Sequence, residues 1–275
     1  MRVTAKRFVL ELLTAADTHQ GSVANLVAGA DILGVDAGSV RVALARLTAA
    51  GTLELAGRGE YRLAATTRAL TRQVTSWREV EKQIRRWDGA WACVHLGDVA
   101  RSDRSGQRRR QRALKLLGFR EHGRSMALRP DNLAGGIAKL RDQLVELGLE
   151  EPAFVYRASD FDAETERRVQ RLFEGDKLSA TYRQITARIG GFLLAMDDMS
   201  PRAAAKESFL FGSDVLRTIM FDPRLPEPLV DVGARRAMVD AAKRLDAAGR
   251  RVWAQMFGMQ HGLVVTSEDR HVEYS

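Results

Sequence analysis

Apolar residues recur at helical spacing from the start of the chain: Phe8, Leu12 and Ala15 fall beside Val9 and Leu13, predicting an amphipathic helix over residues 4–16. The segment from His19 to Gly21 should end it. Ser22 can cap a second helix carrying Val23, Leu26, Val27 and Ala30, before a turn at Gly34. Asp36 or Ser39 then opens a third, in which Val40, Ala43, Leu44 and Leu47 form an inward stripe and Gly51 supplies the stop. The period next changes from helical to alternating. Thr52-Leu53-Glu54-Leu55, the turn Gly57-Arg58-Gly59 and Tyr61-Arg62-Leu63 predict a short β-hairpin.

Three helices followed by a hairpin is the order of a winged helix-turn-helix, a fold that places its third helix in the DNA major groove. Winged helices also occur in proteins that bind only protein. Residues 67–86, with Leu70, Val74, Trp77, Val80 and Ile84 and no Pro or Gly, predict a connecting helix. Trp87-Asp88-Gly89-Ala90-Trp91 reads as a turn entering a buried strand over 92–96. A helix over 108–117, a strand over 124–128, a helix over 133–147 and a strand over 153–156 follow. Strands and helices in this order predict a small α+β, ferredoxin-like domain. From Ala163 the pattern is mostly helical, through Val169, Leu172 and Phe173, Ile185 and Ile189, Phe192 and Leu193, then 209–220, with a last helix over 232–257. Three of the six prolines fall in residues 222–228, which must be an extended loop. The expected layout is α+β and multidomain: a winged helix over 1–66, a connecting helix over 67–86, a ferredoxin-like domain over 87–167 and a helical C-terminal domain over 168–275.

Composition narrows the class. The chain has 275 residues, 45% apolar and 28% charged, as expected for two or three globular domains rather than a disordered chain. A single Cys93 excludes an internal disulfide framework, Cys-rich zinc fingers and a CxxC pair, so a reducing cytoplasm is the natural compartment. Runs such as Phe192-Leu193-Leu194-Ala195-Met196 fall short of the roughly 20 apolar residues that cross a bilayer. At the start, Glu11 interrupts the apolar run and no cleavage site follows, so the segment reads as a mature helix. The net charge is +8, and it is localised: residues 101–129 hold ten basic residues against two acidic ones, leaving the remainder neutral. Such a segment can attract nucleic acid or a phosphorylated small molecule, or it can be a solvated face.

With Val40, Leu44 and Leu47 inward, the third helix turns Ser39, Arg41, Val42, Ala45 and Arg46 outward or to its flanks. Arginine forks onto guanine O6 and N7, serine donates to a phosphate, and Val or Ala packs on a thymine methyl. Arg58 at the hairpin tip can reach a neighbouring phosphate or minor groove. The alternative for Arg41 and Arg46 is a pair of surface ion pairs. An enzyme finds little support, because the sequence has no GxxxxGK loop, helix-opening GxGxxG, GxSxG elbow or HExxH, and its five histidines lack ligand spacing. No catalytic residue, resident metal or cofactor is expected. The Asp160, Asp162, Glu164 and Glu166 cluster and the Asp197-Asp198 pair read as helix-start charges, and Trp87 and Trp91 as core packing more than the floor of an aryl pocket.

In order along the chain, 39–47 with Gly51, the hairpin through Tyr61-Arg62-Leu63, Trp87-Asp88-Gly89-Ala90-Trp91, Leu117-Gly118-Phe119, Arg129-Pro130 and Asp222-Pro223-Arg224-Leu225-Pro226 resemble the PaaX family of bacterial transcriptional repressors of phenylacetate degradation. The resemblance implies a winged-helix DNA-binding domain, a central domain like that of the Cas2 proteins, a helical C-terminal domain and a homodimer. It further implies repression of a catabolic operon, with release from double-stranded DNA by an aryl- or acyl-CoA effector such as phenylacetyl-CoA. Carried over, the DNA-binding residues are Ser39, Arg41, Val42, Arg46 and Arg58. Relatives usually carry a longer wing with a Gly-Arg-Arg tip, whereas Gly57-Arg58-Gly59-Glu60 is shorter and sets an acid beside the expected phosphate. For the nucleotide end of an acyl-CoA the basic segment offers Arg108, Arg109, Arg110 and Arg112. Asp98, after the His95-Leu96 strand, stands where a Cas2-like nuclease places a metal carboxylate, which makes a metal-dependent nuclease the enzymatic alternative.

Overall fold

A computed structural model describes residues 3–16, 19–65, 67, 76–96, 104–123, 125–150 and 153–258. The architecture is α+β, with two antiparallel sheets and a C-terminal region of long helices. Two compact units divide it, one formed by the described parts of Met1–Ser76, Phe192–Asp214 and Arg244–Ser275, the other by those of Trp77–Gly191 and Val215–Lys243.

In the first unit, α1 (Ala5–Ala15), α2 (Val23–Ile32) and α3 (Ala37–Ala49) begin at side-chain caps: Thr4, Ser22 and Asp36 each accept a backbone N–H from three residues on. Between α1 and α2 the chain forms β1 (Gln20–Ser22), and after α3 come β2 (Leu53–Gly57) and β3 (Glu60–Leu63), in the sheet order β1-β3-β2. The sequence reading takes β1 for a helix stop. Three residues are too few to display alternation, and the strand exists because β3 offers it a pairing edge, Gly21 opposite Tyr61. Phe8, Val9, Leu13, Leu26, Val40, Leu44, Leu47, Leu53 and Leu63 are buried together. Phe209 and Trp253, from the C-terminal helices, pack on this core, with the Phe8 and Phe209 rings 5.6 Å apart.

The second unit opens on a 3₁₀ helix, Ser76–Gln83, where the sequence predicts part of a long connecting helix; residues 68–75 lie outside the described residues. Buried Trp77 and Val80 fit a repeat of three residues per turn as well as an α-helical one. Tertiary bonds then decide the backbone: Ala134 N–H donates to the Gln83 carbonyl, Arg85 N–H donates to the Asn132 carbonyl, and Ile84 bridges Leu133. Next follow β4 (Trp91–His95), α4 (Arg104–Leu116), β5 (Arg120–His122), β6 (Met126–Pro130), α5 (Gly136–Glu146) and β7 (Phe154–Ala158). All pairs in the sheet are antiparallel, in the order β5-β6-β4-β7. Ala92, Val94, Ala127 and Val155 on one sheet face pack against Ala113, Leu114, Leu140 and Leu144 of the two helices. The short β5 is not foreseen, and α5 starts later than predicted because Gly135 and Gly136 both adopt positive φ.

Four helices complete the described chain: α6 (Ala163–Arg171), α7 (Gly175–Met196), α8 (Pro201–Met220) and α9 (Val232–Gly258). Asp162 caps α6, with Glu164 and Glu166 in its first turn, as the macrodipole favours. Asp197 and Asp198, expected at a helix start, instead follow the last turn of α7, and Ser200 caps α8.

Candidate nucleic-acid interface

Helix α3 buries Val40, Ala43, Leu44 and Leu47 and leaves Ser39, Arg41, Val42, Ala45 and Arg46 exposed, so the expected division of its faces is the observed one. At 3.6 residues per turn the exposed positions follow one another around the helix as Arg41, Ala45, Val42, Arg46, Ser39. The two guanidinium groups therefore flank a central strip of Ala45 and Val42, the latter 50% exposed. Among the described residues no carboxylate pairs with Arg41, Arg46 or Arg58.

Asp36 organises the N-terminus of this face. Its carboxylate accepts both the hydroxyl of Ser39, at 2.6 Å, and the Ser39 backbone N–H, at 2.8 Å. These two bonds, the hydroxyl's first, hold its pKa below the ordinary value of 3.8. Ser39 thus already has a partner for its proton. What it offers a phosphate is a place beside the first turn of a helix, while the two arginines remain uncommitted.

The hairpin turns at Arg58 and Gly59, the latter at φ +72°, and its register shifts between Leu55 and Gly57. Arg58 stands exposed at the tip. Glu60, the acid beside it, accepts a hydrogen bond from Gln20 Nε2 at 2.6 Å across the β1–β3 pair, and Arg62 is bound to Glu54 at 2.7 Å.

The basic run does not form one surface. Arg101, Asp103 and Arg124 lie outside the described residues. On α4, Arg108, Arg109 and Arg112 are exposed, whereas Arg110 turns inward and its Nη1 meets Glu150 at 2.8 Å. A helix shows consecutive residues on different faces, so four basic positions close in sequence cannot share one. Arg129 is only 1% exposed, far from the surface role its position in the run implies. Its guanidinium donates to the carbonyls of Leu117, Pro130 and Pro223 and to Asn132 Oδ1. Burial first, and then the charge of Arg224, pull its pKa down to about 9.

Around Arg129 the dispersed motifs converge. Trp91 opposes Pro130 in the β4–β6 ladder, stacks on Phe173 at 5.8 Å and donates to Glu166 Oε2 at 3.0 Å. Gly118, at φ +78°, lets the backbone of Pro223 approach so closely that a Cβ would lie 2.8 Å from it. The 222–228 loop is held further by Tyr182, whose hydroxyl donates to Asp222, and by Arg235, which binds Glu81 at 2.9 Å and the Leu225 carbonyl. These residues form a structural hub that the sequence reading did not anticipate. Its available signal was the unusual pairing of charge with Pro and Gly in short motifs.

Asp98 lies outside the described residues, so its candidate metal role has no geometry here. Among the described residues no cluster of His, Cys, Asp and Glu is arranged to hold a metal ion, and no helix is long and apolar enough to cross a membrane. Cys93 is buried, and desolvation raises its pKa to about 11, which keeps the thiol protonated and unreactive near neutral pH.

Residues 173–255 match the PaaX-like protein C-terminal domain. Over those residues the match bears out the resemblance to PaaX-like proteins read from the motifs. Among solved structures, the uncharacterized protein Rv0674 from Mycobacterium tuberculosis shares the fold, with a TM-score of 0.58 at 21% identity over 90% of this chain and 98% of that one. No curated protein matches the chain.

Proposed function

We propose that the protein is a DNA-binding transcriptional regulator that reads double-stranded DNA with α3, in a winged helix-turn-helix made of α1–α3 and β1–β3. The observation that carries this reading is the exposed face of α3, where Arg41 and Arg46, free of carboxylate partners among the described residues, flank Val42 and Ala45. Arg58 reaches from the wing to the backbone, and Glu60, being bound to Gln20, is drawn away from that phosphate. The β4-α4-β5-β6-α5-β7 order with sheet order β5-β6-β4-β7 supports a ferredoxin-like, Cas2-like central domain.

In this reading the domains run over 1–66, 87–167 and 168–275, with 67–86 connecting. The protein acts in the cytoplasm as a homodimer on inverted half-sites, represses a catabolic operon and leaves DNA when an aryl- or acyl-CoA binds. Such an effector shifts the protein between states only through its differential affinity for them. A mobility-shift assay on the DNA upstream of the protein's own coding sequence tests the core of the proposal. Specific retardation lost in Arg41→Ala and Arg46→Ala is expected; absence of retardation, or variants that bind like the wild type, would discard it.

A further inference from the structure

Helix α4 and the last turn of α8 border a cleft of about 670 Å³, lined by Gln111, Arg112 and Lys115 on one side and Arg217, Thr218 and Phe221 on the other. Each trio has the spacing i, i+1, i+4, so each helix turns a single face to the cleft. Arg112, Lys115 and Arg217 are exposed, none is in an ion pair among the described residues, and no carboxylate lines the space. Lys115 Nζ lies 5.5 Å from the centroid of the Phe221 ring. Arg108, one turn before Arg112, extends the positive row along α4.

Three cations brought together without a counter-ion repel one another, and an oligo-anion relieves that repulsion. Arginine matches phosphate with a two-toothed fork and lysine with a point charge, while the Gln111 amide supplies a further donor. Phe221 adds what a purely electrostatic patch lacks, an aromatic face for a planar ring. The volume falls in the range of about 300–1,000 Å³ that takes one small molecule. We propose that this cleft binds a nucleotide-type ligand, a molecule with two or more phosphates and one planar ring, with Arg112, Lys115 and Arg217 on the phosphates and Phe221 against the ring.

The proposal deepens the effector half of the function given above and rests on it only in taking the bound molecule to be the signal. Titration calorimetry on the full chain, with ADP, inorganic pyrophosphate and coenzyme A as probes, tests the site. ADP should bind, and pyrophosphate, lacking the ring, should bind about tenfold more weakly. Arg217→Ala and Lys115→Ala should each weaken ADP about tenfold, with melting as in the wild type. Phe221→Leu, which keeps bulk but removes the ring, should bring ADP down to the pyrophosphate affinity. Tighter binding of coenzyme A than of ADP, equally dependent on Arg217, supports the site and identifies a coenzyme A moiety as the source of the nucleotide. No binding of any probe, or ADP binding indifferent to Arg217→Ala and Phe221→Leu, overturns it. So does a loss of DNA affinity in these variants that ADP cannot mimic, because the cleft is then a DNA contact. ADP binding without DNA retention would sink the regulator reading and leave the cleft standing.

Discussion

Arg129 and Asp222 show how far a charged side chain's role depends on its surroundings. Arg129 belongs to a cationic run, yet its guanidinium is enclosed and satisfies the acceptors of two motifs distant in sequence, Leu117 and Pro223. Removing it strands those carbonyls and Asn132 Oδ1 in a buried setting. Arg129→Met should cost about 3–5 kcal/mol of stability in urea unfolding, whereas Arg108→Met, at an exposed position, should cost little. Asp222 is buried, and desolvation raises its carboxyl pKa above 3.8 despite bonds from Tyr182 and from the Arg224 backbone N–H. The folded state therefore keeps this proton to higher pH than the unfolded chain does. Between 3.8 and the raised value stability falls as pH rises. Asp222→Asn removes that titration, so on going from about pH 4 to 7 the variant should lose less unfolding free energy than the wild type. Parallel pH curves would show that Asp222 does not titrate in this window.

At the scale of elements, α3 and the 222–228 loop meet opposite demands. The exposed arc of α3 leaves two arginines uncommitted, so phosphate contacts made by them release counterions. If each contacts one phosphate, Arg41→Ala and Arg46→Ala should each lower the slope of log K against log salt by about 1, measured by fluorescence anisotropy from low to moderate salt. A base-reading arginine would instead lose sequence discrimination with less change of slope. The loop depends on close approach. Gly118→Ala puts a Cβ into the Pro223 backbone at a positive φ, and should destabilise the second unit by about 1–3 kcal/mol or more, read as a lowered melting midpoint. At the hairpin the acid has a partner: β1 supplies Gln20, which engages Glu60. That strand is invisible in the pattern because three residues carry no period.

For the whole molecule, chain order and core membership diverge. The sequence pattern groups the N-terminal helices within residues 1–66, and Phe209 and Trp253 from far along the chain pack on their core. A fragment ending at residue 66 lacks both aromatics. Its Val40 and Leu44 amides should exchange with solvent faster than in the full chain, and adding Phe209→Ala to the full chain should move them in the same direction by about 2 kcal/mol of protection. Unchanged protection in the fragment would make the C-terminal aromatics dispensable. Periodicity alone determined α1–α3, the hairpin, the exposed face of α3 and most of the βα order that follows, because each rests on burial repeating every 3.6 or 2 residues within one short window. Tertiary structure decided what pairs across distance: β1, the 3₁₀ course of 76–83, the inward turn of Arg110 and Arg129, and the meeting of Gly118 with Pro223. No local window contains the partner that fixes any of these, and a buried charge is written in the same letter as an exposed one.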